Sequence, residues 1–159
     1  MAQLADNLNA EISLGTVSNM EEAIVWLSYT YLYVRMRKNP QVYGIKYQEL
    51  REDHTLTDKR RAIINDAAKS LDKARMIRYD EANGIMASVD LGRTASHFYI
   101  KYDTVETFNE LMKPIMNEGE ILAMLSKAQE FEQLKAEHAE QEADAEEEPR
   151  LVHSRERQA

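Results

Sequence analysis

Met76-Ile77-Arg78-Tyr79-Asp80 and Ile85-Met86-Ala87-Ser88-Val89 are two short β-prone runs, separated by Glu81-Ala82-Asn83-Gly84. Asn-Gly tolerates the left-handed backbone of a tight reversal, so the stretch predicts a β-hairpin. Just upstream, Thr57 or Asp58 can cap a helix reaching about Ala74, with Ile64, Ala67, Ala68, Leu71 and Ala74 as its apolar stripe. Lys46 to Asp53 fits a shorter helix after a turn at Gln41 to Gly44. Earlier still, Ser18 and Glu21 have capping-box spacing, and an apolar run continues to Lys38, where Asn39-Pro40 stops it. In that long helix Ala23, Leu27, Thr30, Tyr31 and Val34 share one face, while Trp26, Tyr29, Tyr33 and Met36 cover most of the rest. This predicts a helix buried on more than one side, at the centre of the core. Leu4, Leu8 and Ile12 mark a lead-in helix from Ala2 to Leu14, ended by Gly15.

Three helices followed by a hairpin is the order of a winged helix, so the expected fold is mainly α with a small β-hairpin. Beyond Asp90 helical spacing returns over Leu91 to Lys101, Thr104 to Met112, and Asn117 to about Leu134, with Pro114 as a breaker. Ile121, Leu122, Leu125, Ala128 and Phe131 give the last of these an apolar face. Such helices need a partner surface, which predicts the first helices of a helical bundle. From Glu137 the chain turns to Glu, Ala and Gln, the composition of a fraying helix passing into disorder.

The 159 residues are 43% hydrophobic and 30% charged, enough for one compact core. No apolar stretch is long enough to span a bilayer and no secretory leader is evident, so an intracellular protein is expected. Without cysteine, disulfides and thiolate metal sites are excluded. The net charge of −8 is uneven: Gln129 to Ala159 holds ten acids and four bases, leaving the remainder near neutral. Thr57 to Arg78 holds seven bases against three acids, and Lys59, Arg60, Arg61, Lys69 and Lys73 are the candidate phosphate-facing residues.

There is no G-x-x-x-x-G-K-[ST] loop and no G-x-G-x-x-G, so ATP turnover by this chain is not expected. Asp80-Glu81-Ala82-Asn83 looks like the acidic magnesium box of helicase motors, but it sits at a hairpin turn with no phosphate loop to share the ion. His54, His97, His138 and His153 lie far apart, which argues against zinc. Ser96 and His97 are adjacent on a helix and point apart, so they make no nucleophile and base. Tyr29, Tyr31, Tyr33, Tyr43 and Tyr47 could stack on bases, but the first three fall on the helix read as core. No catalytic, cofactor or metal residue is expected.

Trp26-Leu27-Ser28-Tyr29-Thr30-Tyr31-Leu32-Tyr33-Val34-Arg35-Met36, then Asn39-Pro40 and Tyr43-Gly44-Ile45, together with Asp90-Leu91-Gly92-Arg93-Thr94-Ala95-Ser96-His97-Phe98-Tyr99-Ile100, carry a resemblance. They are similar to the region after the second motor domain of large superfamily-two helicases with tandem cassettes. Leu8 to Ile12 and Leu14 to Val17 resemble the helix that leads into the winged helix there. The tyrosine-rich run, Ile100-Lys101-Tyr102, Glu106 to Leu111 and Ser126-Lys127-Ala128 resemble the branch found in the activating signal cointegrator complex more than the spliceosomal branch. The resemblance spans about Leu8 to Lys135; the acidic tail departs from it, and both motor domains, the rest of the bundle and the second cassette are missing.

The resemblance implies a winged helix that packs on motor domains, with Leu91-Gly92-Arg93 opening a Sec-sixty-three homology module. It also implies a DNA or RNA unwinding machine of nucleus and cytosol, acting in alkylation repair and ribosome-collision clearance. The expected organisation is a lead-in helix plus winged helix over 1–90, a partial bundle over 91–135 and an acidic tail over 136–159. Trp26 and Tyr31 are expected in the core, with Gly92 and Arg93 at the junction. The expected role is non-catalytic coupling of motor domains to the bundle, the alternative an independent winged-helix DNA-binding regulator. Expected partners are the motor domains, the rest of the bundle, DNA or RNA, and further copies of the chain through exposed apolar surface. ATP and magnesium would belong to the motors.

Overall fold

A computed structural model of the chain describes residues 2–132. The tail expected to be disordered from residue 136 lies outside them. Helix α1, Ala2–Leu14, buries Leu4, Ala5, Leu8 and Ile12. Gly15, at φ 79°, closes it with a hydrogen bond from its N–H to the Ile12 carbonyl at 3.2 Å. This helix is more than a lead-in. It packs against the later helices and the hairpin and supplies one wall of the main core.

The aromatic run forms two helices, α2 (Met20–Ser28) and α3 (Tyr31–Lys38), where one was expected. Thr30 stands between them in extended backbone at ψ 153°; its hydroxyl donates to the Leu27 carbonyl at 2.7 Å and accepts the Tyr33 N–H at 3.4 Å. A hydroxyl that competes for helix backbone groups favours a cap over a helix interior. The break turns Tyr29 and Tyr31 outward, 84% and 75% exposed, so the expectation that Tyr31 is core is overturned. Trp26 is half-buried against the main core. Met36 joins a separate small core with Ile45 and Leu56. The first cap is also shifted: Asn19 Oδ1 accepts the Glu22 N–H at 2.9 Å, and the Glu22 carboxylate accepts from the Ser18 N–H and hydroxyl, both at 2.8 Å. These bonds hold the Glu22 carboxyl below its ordinary pKa, the Ser18 backbone bond having the largest effect.

A 3-10 turn, Pro40–Tyr43, leads to α4 (Tyr47–Glu52) and α5 (Thr57–Lys73). Neither Thr57 nor Asp58 caps α5. Asp53 reaches forward instead, accepting the Thr55 hydroxyl at 2.6 Å, the Thr55 N–H at 2.9 Å and the Thr57 N–H. Those bonds, the Thr55 hydroxyl foremost, lower the Asp53 pKa. Ile64, Ala67, Ala68, Leu71 and Ala74 are buried as their spacing predicts.

Strands β1 (Ile77–Asp80) and β2 (Ile85–Ser88) pair antiparallel, with Ile77 opposite Ser88 and Asp80 opposite Ile85. Asp80 caps the four-residue loop, accepting the Ala82 N–H at 3.0 Å, and Gly84 takes φ 68°. A third rung comes from the extended segment before α2. Met20 N–H donates to the Gly84 carbonyl and Met86 N–H to the Ser18 carbonyl, both at 2.8 Å. The order helix, extended rung, helix, helix, hairpin is that of a winged helix, built here from α1, α2, α5 and the hairpin. Helices α3 and α4 are inserted between the second and third of its helices.

Helices α6 (Asp90–His97), α7 (Tyr102–Leu111) and α8 (Glu118–Leu125) follow, then a 3-10 turn, Gln129–Phe131. The expected single helix from Asn117 to about Leu134 therefore ends at Leu125. One compact unit runs through Glu106 and a second starts at Thr107. In the second, Asn117 and Glu120 form a reciprocal capping box, and Met124 and Ala128 are buried. Ile121, Leu122, Leu125 and Phe131 of the expected apolar face remain exposed.

Candidate functional site

The sequence nominated the cations of α5, and the fold engages all but one of them. Arg60 is buried at 8% exposure. Its Nη1 donates to the Ile24 carbonyl at 2.8 Å, its Nη2 to Thr57 Oγ1 at 3.4 Å, and its guanidinium sits 5.1 Å from the Tyr33 ring centroid. It is a core arginine fastening α5 to α2 and α3, which corrects its nomination as a phosphate-facing residue. Arg61 pairs with Glu21 at 2.5 Å, Lys69 with Glu81 at 2.6 Å and Lys73 with Glu106 at 3.4 Å. Exposed pairs of this kind add little stability, yet they cancel the positive field along the helix. Arg60 and Lys59 are the two of the five that form no ion pair among the described residues, and of these Arg60 is held in the core.

A different cationic surface emerges on the inserted helices. Residues 31–51 hold five bases, Arg35, Arg37, Lys38, Lys46 and Arg51, against the single acid Glu49. None of the five forms an ion pair among the described residues. Arg35 lies 5.8 Å from the Tyr31 ring and Arg37 5.7 Å from the Tyr33 ring, cation–π distances that hold guanidiniums without neutralising them. Tyr33 is itself fixed by its hydroxyl, which donates to the Thr55 carbonyl at 3.2 Å. Arg37, Lys38 and Arg51 rim a groove between α3 and α4 floored by Val34 and Leu50, and no carboxylate among the described residues lines it. Sequence reading missed this surface because the basic end of α3 suits a helix dipole. The available signal was the scarcity of acids three or four residues from those bases.

The third feature is the junction. Gly92, buried in α6, packs so closely that a Cβ there would lie 1.9 Å from the Met76 carbonyl oxygen and 2.6 Å from Asn9 Oδ1. Its own carbonyl accepts from Asn9 Nδ2 at 2.9 Å. Only glycine lets α6 lie this near to α1 and the start of β1. Asp6 of α1 adds a second tie, its carboxylate accepting the Tyr102 N–H at 2.6 Å. Arg93 stays on the surface, bonded to the Ser88 carbonyl at 3.3 Å and paired with Asp90. Beside this weld, Leu14, Phe98 and Tyr99 line a cleft and are exposed, and Tyr99 holds the left-handed φ of 57°.

A winged helix whose first helix is welded by glycine to a following helical segment defines the class: a winged-helix domain joined to the start of a second helical module. Comparisons with known proteins agree. Residues 1–73 match the family described as Winged Helix-turn-helix domain, and residues 88–149 match the Sec63 Brl domain. The chain is 59% identical over 135 residues, 85% of its length, to activating signal cointegrator 1 complex subunit 3 of Gallus gallus, and 57% identical over 135 residues to that of Homo sapiens. It is 52% identical over 141 residues, 89% of its length, to the DExH-box ATP-dependent RNA helicase DExH14 of Arabidopsis thaliana. The chain is thus similar to the winged-helix and Sec63 segment of these helicases. It spans 6% of the length of these relatives.

Proposed function

We propose that the chain is a non-catalytic coupling segment, in which the winged-helix unit ties the motor domains of an ATP-dependent helicase to the helical bundle that α6 begins. The observation that carries this reading is the Gly92 weld. It makes the first helix of the Sec63 match continuous in packing with the winged helix, so a displacement of one moves the other. The exposed Leu14, Phe98 and Tyr99 beside it supply apolar surface for a neighbouring domain. The compartments and pathways implied by the resemblance belong to the same proposal. So does the absence of a cofactor from this segment.

The test mixes the chain with the two motor domains of a related DExH helicase, expressed without their own winged helix, and measures mass by light scattering. A one-to-one complex is expected, lost on replacing Phe98 and Tyr99 by Ser. A chain that ignores the motors, or binds them equally well after that change, contradicts the reading.

A further inference from the structure

We propose that the groove between α3 and α4 binds single-stranded nucleic acid, with phosphates on Arg37, Lys38 and Arg51 and a base against Tyr47. The site is distinct from α5 and independent of the coupling role. Its three cations form no ion pair among the described residues, whereas three of those on α5 are spent on Glu21, Glu81 and Glu106. Among the described residues no carboxylate lines it to repel a phosphate. Arg37 is steered by the Tyr33 ring, which is anchored at Thr55, so its guanidinium needs little further ordering to meet an anion.

The ring of Tyr47, 58% exposed on the groove wall, decides between occupants. An acidic polypeptide would use the charges and gain little from an aromatic face, whereas every base has a π-face to lay on one. Duplex reading is disfavoured by length: α4 spans only Tyr47–Glu52, too short to run along a major groove.

Fluorescence anisotropy of the whole chain with short labelled oligo(dT) and oligo(U), between about 50 and about 200 mM salt, tests the site. Binding is expected with a log–log salt slope near −2, from three phosphate contacts at about 0.7 each on a single strand. Combined Arg37→Glu, Lys38→Glu and Arg51→Glu is expected to weaken binding by more than about tenfold and flatten the slope. Tyr47→Ala is expected to cost about fivefold or more while leaving the slope unchanged. Lys59→Glu on α5 is expected to change affinity by less than about twofold. Arg37, Lys38, Tyr47 and Arg51 are exposed and Lys59 is half-buried, and circular dichroism checks that each variant folds. A preference for either strand supports the proposal. No binding at low salt, undiminished binding by the folded triple variant, or equal affinity for polyglutamate would overturn it; the Tyr47 variant tests it separately should the triple variant misfold.

Discussion

Gly92→Ala is expected to lower the midpoint of thermal unfolding by about 10 °C or more, the largest effect expected from a methyl group added at any of the glycines. The added Cβ would meet the Met76 carbonyl oxygen at 1.9 Å, far inside contact distance, and that carbonyl cannot swing away as a side chain could. Met76 itself is fully buried, and its N–H is held by the Leu71 carbonyl at 2.9 Å. Relief must therefore come from lifting α6 off α1. That motion breaks the Asn9 bond to the Gly92 carbonyl and leaves a buried amide unpaired, adding about 1–3 kcal/mol to the cost of overpacking. Thermal denaturation followed at the single tryptophan, Trp26, and by far-ultraviolet dichroism checks the prediction. A variant melting within about 3 °C of the parent would mean that α6 is not seated as described.

Arg60→Ala is expected to destabilise the winged-helix unit by about 2–3 kcal/mol, whereas the neighbouring Lys59→Ala changes stability by less than about 0.5 kcal/mol. Arg60 packs over the Tyr33 ring and donates to the Ile24 carbonyl from a buried position, so truncation opens a void and removes a charge-assisted hydrogen bond. Urea unfolding of the two variants measures the difference. Equal effects would return Arg60 to the surface set. A consequence follows for any mutagenesis of α5: reversing Lys59, Arg60 and Arg61 together would abolish nucleic-acid binding through unfolding, whatever the true contact surface.

The parts of this fold that were legible in the sequence are those fixed by neighbours in the chain. The stripe from Ile64 to Ala74 and the alternation around Asn83-Gly84 are local periodicities, and both elements form where they predict. Gly15 stops α1 for an equally local reason. The break at Thr30 was not legible, because one hydroxyl decides it while apolar spacing continues across it. Tyr29 and Tyr31 then carry the same apolar weight in a sequence whether they end in a core or in water. The fate of the α5 cations was hidden for a different reason: Glu21 lies 40 residues from Arg61 and Glu106 lies 33 from Lys73. Charge counted along a helix misses acids brought in by other elements. Gly92 was nominated at the junction by resemblance, but its physical necessity is the 1.9 Å approach to Met76, which only the packed structure supplies.

The junction has a signature in amide exchange. Native-state hydrogen exchange on the unmodified chain compares the opening free energy of α6 directly with that of the winged-helix core. Amides from Arg93 to His97 are predicted to open together with those of α1 and α5, at the free energy of global unfolding. Exchange of α6 far faster than α5, with α1 still protected, would show two separately opening bodies and contradict the weld.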